Sequence, residues 1–244
     1  MQTVSEYNPD FMAWSFFEVH ECGQKRPREI NFTAGFFKGE QKNKFLENAI
    51  SGKIQGHYIP TSLFKKSLID KNSLSMPEDM VIQEDFCFVV SYLMYSDSIY
   101  LLPQSRFYNY FQNEVSVSKT YSDKYLKSLL VLPNHILKLI SGNISLEQAF
   151  ARRMPYSIFY ALLLITQAQM PFDGKLKEVQ KIALDANICQ LLGKLKLRDF
   201  ASIKAFSSLL IYQGFYSAAL IYAAILNKAY IVSKKIKRRE TFLI

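Results

Sequence analysis

The sequence predicts a mainly α-helical protein of two lobes, with a small β-hairpin in the N-terminal lobe and an arm at each end. Three observations lead to this fold class. Beyond residue 125 the chain reads as apolar helical segments with short connections. The stretch NEVSVSKTYSDK (113–124) is polar and poor in bulky apolar side chains, which marks a lobe boundary. With 244 residues, of which 49% are hydrophobic, the chain is long enough to bury a core.

The N-terminal half mixes helical, strand-like and loop segments. Its first residues are polar, which favours an arm; Phe36–Ile50 has a helical pattern, and GKIQGHYIP (52–60) alternates between glycines like a short strand or hairpin. FCFVVSYLMY (86–95) is too apolar to be exposed and is expected to be a buried helix or strand. The predicted segments are therefore an N-terminal arm (1–15), an N-terminal lobe (16–120), a C-terminal lobe (121–209) and a C-terminal arm (210–244).

Helix signals dominate the C-terminal half. The pattern predicts a helix over Leu126–Ile140 that ends at Gly142-Asn143, and a second helix that begins at Ser145 with Gln148 placed as in a capping box. Pro155 opens a further apolar run, and Gly174 precedes the helical pattern LKEVQKIAL. These segments are consistent with a compact helical lobe.

The charge balance favours an anionic partner. Lys and Arg number 30 against 21 Asp and Glu, a formal net charge of +9, which is typical of proteins that bind nucleic acid, anionic lipid or acidic proteins. The cysteines, Cys22, Cys87 and Cys189, are far apart and in no CxxC motif, which indicates a reducing compartment.

Catalytic motifs are missing from the sequence. The histidines His20, His57 and His135 have no metal-ligand spacing, and no nucleophile elbow, Walker or Rossmann pattern is present. Glu84, Asp85 and Asp97 would form an acidic site only if folding brought them together. We therefore predict no enzyme, no catalytic residue, no metal site and no cofactor.

One segment keeps a membrane alternative open. Residues 205–227 contain no charged side chain and are followed by the basic cluster KKIKRR (234–239). A bilayer span needs about 20 apolar residues, but Gln213, Gly214 and Asn227 dilute this run. The alternative function is thus a membrane-associated helical protein, such as a host-targeted bacterial protein, anchored through 205–227; a helix docking on another subunit would share the pattern.

Two blocks of sequence resemble orthobunyavirus nucleocapsid proteins. In the first, Asn8-Pro9-Asp10 precedes Trp14 and Phe16-Phe17, and the pair Phe36-Phe37 is followed by Lys42 and Lys44. The second, LEQAFARRMPYSIFYALLLITQAQMPFDGKLKEV, matches the family's pattern at Leu146, Phe150, Pro155, Ile158, Gln167, Met170, Leu176 and Lys177.

This resemblance implies a viral nucleoprotein that encapsidates genomic single-stranded RNA without reading its sequence. Such a protein has two helical lobes with a positively charged groove between them, and lysines and arginines of the groove bind the phosphates. The implied RNA-binding residues are Lys38, Lys42, Lys44, Lys53, Lys65, Lys66, Arg152, Arg153, Lys175, Lys177 and Lys181.

The resemblance also implies partners and a location. The protein would form a homo-oligomer through its terminal arms, bind viral single-stranded RNA and the viral RNA polymerase, and use no small-molecule substrate. It would be found in the virion and the host cytoplasm.

Overall fold

The computed structural model describes residues 6–20, 23–54, 59–111 and 121–241, with side chains up to residue 230. The chain divides into two compact units. The first, unit 1, comprises Met1–Ser116 and Val131–Arg153, and the second, unit 2, comprises Val117–Leu130 and Met154–Ile244.

Unit 1 contains a five-stranded mixed sheet of order β2-β1-β5-β3, with β4 also paired to β1. Its strands are β1 (Phe11–Val19), β2 (Lys25–Arg28), β3 (Gly35–Lys38), β4 (Ser62–Phe64) and β5 (Ser98–Phe111). Strands β1 and β5 run parallel, while β2 and β4 pair antiparallel with β1, and β3 pairs antiparallel with β5. Its helices are α1 (Gly39–Ser51), α2 (Lys66–Asn72) and α3 (Glu84–Tyr95).

An aromatic cluster forms the core beside this sheet. The ring of Phe11 lies 6.3 Å from that of Phe45 and 5.4 Å from that of Phe64, and the rings of Phe64 and Tyr92 are 4.9 Å apart. Phe11, Phe45 and Tyr92 are fully buried. The cluster therefore joins strands β1 and β4 to helices α1 and α3, since each supplies a large apolar ring.

The α-helices that follow strand β5 lie between Asp123 and Thr241 of the described chain. They are α4 (Asp123–Ile140), α5 (Ile144–Gln167), α6 (Phe172–Leu184), α7 (Ala186–Gly193), α8 (Ile203–Tyr212) and α9 (Tyr216–Thr241). Helices α4 and α5 contribute residues to both units, whereas α6 to α9 belong to unit 2. In unit 2 a buried set of aliphatic side chains fills the core: Ile158, Leu162, Val179, Ile182, Ile188, Leu191 and Ile211.

Local polar contacts define where several of these helices begin. The Leu146 amide donates to Asn143 Oδ1 over 3.1 Å, and the Glu147 carboxylate accepts from the Gly142 amide over 3.2 Å. The predicted helix over Leu126–Ile140 is confirmed as part of α4. The predicted cap at Ser145 is displaced by two residues, because Asn143 rather than Ser145 provides the cap.

The predicted fold class of two helical lobes is wrong, because unit 1 is built around a mixed sheet. Strand β1 escaped detection because Phe11, Met12 and Ala13 are all buried, so the alternation that identifies a half-exposed strand is absent. Strand β5 contains Pro103, which argues against a central strand unless a bulge accommodates it.

Two finer expectations also change. The predicted helix over Phe36–Ile50 is strand β3 followed by helix α1, and Phe37 of β3 is buried. The expected strand in GKIQGHYIP falls partly on residues 55–58, which lie outside the described residues; the first strand after it is β4. The predicted segment boundaries at 15, 120 and 209 stay predictions.

The uncharged run 205–227 is not one continuous helix. Helix α8 ends at Tyr212 and α9 begins at Tyr216, and Gly214 between them has a φ of 84°, a left-handed conformation that glycine adopts without steric cost. Within the part of the chain that the structure describes, every helix is too short or too polar to cross a bilayer.

Candidate active site

The amino-terminal end of α3 brings acidic side chains together in unit 1. Glu84 and Asp85 occupy its first turn, and Gln83 precedes them with a φ of 67°, a left-handed conformation uncommon outside glycine. The Cys87 amide donates to the Gln83 carbonyl over 3.0 Å, which closes this turn. Acidic residues are favoured here because the first turn of a helix presents unpaired amides.

Asp85 is the residue of this turn whose carboxyl group has a strongly raised pKa. Its Oδ1 atom accepts a hydrogen bond from the Phe86 amide over 2.7 Å. Burial of the carboxyl, reinforced by the charge of Glu84, raises its pKa from 3.8 to about 6, although the Phe86 amide and Arg153 oppose the shift. At neutral pH such a carboxylate is mostly ionised yet basic enough to accept a proton from a substrate.

Arg153, from α5, holds the residues on either side of Asp85. Its Nη2 atom donates to Gln83 Oε1 over 3.3 Å, and its guanidinium carbon lies 3.9 Å above the centroid of the buried Phe86 ring. A cation at this distance from an aromatic face is attracted to it. The guanidinium is therefore fixed in position, and its charge favours the ionised form of Asp85.

Glu84 carries an unused acceptor at the same turn. Among the described residues its Oε2 atom is buried and has no hydrogen-bond partner. A buried carboxylate oxygen without a partner carries an uncompensated desolvation cost. The charge of Glu84 raises the pKa of Asp85, so Asp85 is the proton acceptor of this turn.

The neighbouring Cys87 thiol is a packing group. Burial raises its pKa to about 12, and its Sγ atom contacts Met80 Sδ at 3.8 Å. A thiol with such a pKa is protonated at neutral pH and is a poor nucleophile. The chemistry of this site therefore rests on carboxylates rather than on sulfur.

A second charged cluster lies at the start of β1 and β5. Asp10 Oδ2 accepts from the amides of Asp97 and Ser98 over 2.9 and 3.2 Å, and Asp10 Oδ1 pairs with Lys65 Nζ at 3.4 Å. The Tyr92 hydroxyl donates to the Asp10 carbonyl over 2.6 Å. These bonds tie the first residues of both parallel strands together, so we assign the cluster a structural role.

Lys42 belongs to the same cluster and is withdrawn from solvent. It is 7% exposed, and burial lowers the pKa of its ammonium group, against the charges of Asp97 and Asp10. Lys42 and Lys65 are the predicted RNA-binding residues that the fold brings together, and both interact with Asp10.

The other predicted RNA-binding residues are scattered. Lys38, Lys44, Lys53, Lys66 and Lys177 are exposed, and Lys181 is paired with Glu178 at 2.8 Å. Lys175 donates to the Thr166 carbonyl over 2.8 Å, Arg152 is half-buried, and Arg153 lies at the α3 site. Their RNA-binding role stays a prediction.

The acidic residues singled out in the sequence are separated by the fold. Glu84 and Asp85 begin helix α3 and Asp97 follows its other end, about 18 Å away at 1.5 Å per residue. The sequence signal for the site was the acidic pair directly before a buried helix. The contribution of Arg153 was hidden, because 68 residues separate it from Asp85 along the chain.

Among the described residues no group of three or more His, Cys, Asp or Glu side chains is arranged to hold a metal ion.

Comparison with known proteins identifies a shared fold. No protein-family model and no curated protein sequence gives a significant match. Solved structures of S. aureus TarS do match. Residues 1–349 of TarS in complex with UDP-GlcNAc have a TM-score of 0.56 at 13% identity, covering 95% of this chain and 62% of that one.

Two further TarS structures agree. The complex of residues 1–349 with UDP has a TM-score of 0.55 at 13% identity, over 95% of this chain and 61% of that one. A longer TarS structure has a TM-score of 0.53 at 13% identity, over 94% of this chain and 36% of that one. This chain thus spans about three-fifths of TarS 1–349, and at this identity the likeness is one of fold.

This likeness corrects the functional prediction. A chain with the fold of a protein crystallised with UDP and UDP-GlcNAc is not the predicted RNA-encapsidating nucleoprotein, and the membrane-anchored alternative is also wrong. The expectations of no enzymatic activity, of no small-molecule substrate and of viral RNA and polymerase partners are overturned with it. The orthobunyavirus resemblance and the virion and host-cytoplasm location stay predictions.

Proposed function

We propose that this chain takes part in glycosyl transfer from a nucleoside-diphosphate sugar to an acceptor hydroxyl, with Asp85 as the general base. The observation that carries the proposal is a buried carboxyl with a raised pKa at a helix end, held by the Phe86 amide and flanked by residues that Arg153 contacts. The fold supports the substrate class, because TarS binds both UDP-GlcNAc, an activated sugar, and UDP, the nucleotide left after the sugar is transferred.

In the proposed step the acceptor oxygen attacks the anomeric carbon of the donor sugar. The new carbon–oxygen bond forms as the bond from that carbon to the diphosphate breaks, and the bonding electrons leave with the diphosphate. The proton of the acceptor hydroxyl passes to the Asp85 carboxylate, which makes the oxygen a better nucleophile as it attacks. The nucleoside diphosphate is released with the additional negative charge that it gains when this bond breaks.

Each residue of the site has a defined part in this step. The charge of Glu84 raises the pKa of Asp85 and so makes the carboxylate more basic. Arg153 keeps Gln83 and Phe86 in place and limits the rise of the Asp85 pKa, so that the base is ionised at neutral pH. These groups act on the acceptor side of the reaction.

The test is UDP release from UDP-GlcNAc by the 244-residue chain, with chitotetraose or water supplying the acceptor hydroxyl, compared with Asp85→Asn. Loss of a general base lowers the rate by about 100- to 10,000-fold. Asp173→Asn is the matched control, since Asp173 is an exposed aspartate in the first turn of helix α6. Calorimetric binding of UDP-GlcNAc should be the same in all three proteins. Equal rates for Asp85→Asn and the wild type would refute the role of Asp85, and no release by the wild type would refute the proposed function.

A further inference from the structure

A cleft of about 660 Å³ lies in unit 1, between the segment before β3 and the middle of β5. It arises from a change of register between the parallel strands β1 and β5. Trp14 is opposite Leu102, but the next residue, Ser15, is opposite Arg106, so residues 103–105 of β5 have no counterpart on β1. Such bulges displace a strand locally and are common beside functional sites.

Hydrogen bonds hold both walls of this cleft in place. The Ser15 hydroxyl, which is fully buried, donates to the Pro103 carbonyl over 2.5 Å and accepts from the Ile30 amide over 3.0 Å. Arg106 pairs with Glu29 on one wall and donates to the Gln104 carbonyl over 3.1 Å on the other. The walls are thus ordered before any ligand arrives, which reduces the entropic cost of binding.

The lining of the cleft suits a neutral ligand rich in hydroxyl groups. Glu29, Asn31, Thr33 and Gln104 present carboxylate, amide and hydroxyl groups at its exposed surface, while Phe32 and Pro103 add half-buried apolar faces. No lysine or arginine is among the residues that line it, and the Glu29 carboxylate, the charged group of the lining, is paired with Arg106. A phosphate or diphosphate would therefore meet no unpaired cation there.

We propose that this cleft binds a neutral carbohydrate. Its volume lies in the range of about 300–1,000 Å³ that is usual for small-molecule sites. Sugar hydroxyls can donate to and accept from the amides, the carboxylate and Thr33, while the C–H faces of the ring pack on Phe32 and Pro103. The binding of carbohydrate does not depend on the proposed function.

The test is an NMR titration of the ¹⁵N-labelled chain with chitotetraose and, separately, maltotetraose. Binding should shift the amide signals of residues 29–33 and of Gln104. Asn31→Ala and Gln104→Ala should each weaken the binding about two- to tenfold, the effect of losing one hydrogen bond. Asn109→Ala is the matched control, because Asn109 is an exposed amide on the same strand outside the cleft, and it should bind like the wild type.

Three results would overturn the proposal: neither tetrasaccharide shifts these signals at about 10 mM, Asn31→Ala and Gln104→Ala bind as tightly as the wild type, or UDP or inorganic phosphate occupies the cleft. Because the titration needs no turnover, it separates the two proposals. If Asp85→Asn binds the sugar and releases UDP at the wild-type rate, the proposed catalytic role of Asp85 is contradicted and the proposed carbohydrate binding by the cleft is supported.

Discussion

Replacing Asp85 with asparagine is expected to stabilise the folded protein at neutral pH. The pKa of Asp85 is about 6 in the folded state against 3.8 as the usual value. Between these values the folded state keeps a proton that the unfolded state has released, so the wild type loses stability as the pH rises. The shift of 6 − 3.8, or 2.2 units, corresponds to at most about 3 kcal/mol at 1.36 kcal/mol per unit.

Asparagine cannot ionise and avoids this loss, and its side-chain oxygen can still accept from the Phe86 amide. The unfolding free energy of Asp85→Asn relative to the wild type should therefore increase by about 2 kcal/mol from pH 4 to pH 8, because pH 4 already lies slightly above the usual pKa of 3.8. In a chain of this size that corresponds to roughly 4–8 °C in the melting temperature.

Urea denaturation at pH 4, 6 and 8 measures this difference, and comparison across pH cancels any effect of the substitution that does not depend on ionisation. Asp173→Asn, the exposed first-turn control, should show little change with pH relative to the wild type. The reasoning is refuted if the advantage of Asp85→Asn is the same at pH 4 and pH 8.

Further outcomes follow from other parts of the fold. Tyr92→Phe should lower the unfolding free energy by about 1–3 kcal/mol in urea melts, because the hydroxyl bonds two backbone groups; an unchanged midpoint would contradict this. Asn143→Ala should lower it by about 0.5–2 kcal/mol through the lost cap of α5, and a stabilised variant would count against that assignment. Lys42→Met should leave it unchanged or raise it at pH 7, since burial outweighs the attraction of nearby carboxylates; a large loss would show the reverse. Native Cys87 should resist iodoacetamide at pH 8 until the protein unfolds, as mass spectrometry of digested samples would show, and fast labelling would refute its burial.

Local patterns predicted helices in the C-terminal half but not all of their ends: Gly174, expected to precede a helix, lies inside α6, and Pro155, expected to open a further run, lies inside α5. The apolar residues of Leu126–Ile140 have helical spacing, which predicts the helix that is observed, and Gly142-Asn143 marks its end. The apolar stretch 86–95 was expected to be buried, and it forms most of α3. These features depend on residues close together in the chain.

The sheet and the site depend on distant residues, which no local pattern reveals. Strand β1 lies inside the sheet because β5, more than 80 residues later, pairs with it, and Pro103 lies where the register between these strands changes. The raised pKa of Asp85 comes from burial and from the balance of Glu84 against Arg153, which the fold alone brings together. Lys42 shows the same limit, since its sequence context gives no sign that its ammonium group is buried.

The pH dependence of UDP release from UDP-GlcNAc, by the wild type and by Arg153→Met, tests the central claim that Asp85 is the base. The wild-type rate should fall on the acid side with a midpoint near pH 6, where the Asp85 carboxyl takes up its proton. In Arg153→Met this midpoint should move to higher pH, because the charge that favours the ionised carboxylate is gone, while Arg153→Lys should keep it closer to the wild type. An acid limb near pH 4, or one that stays in place in Arg153→Met, would contradict the account.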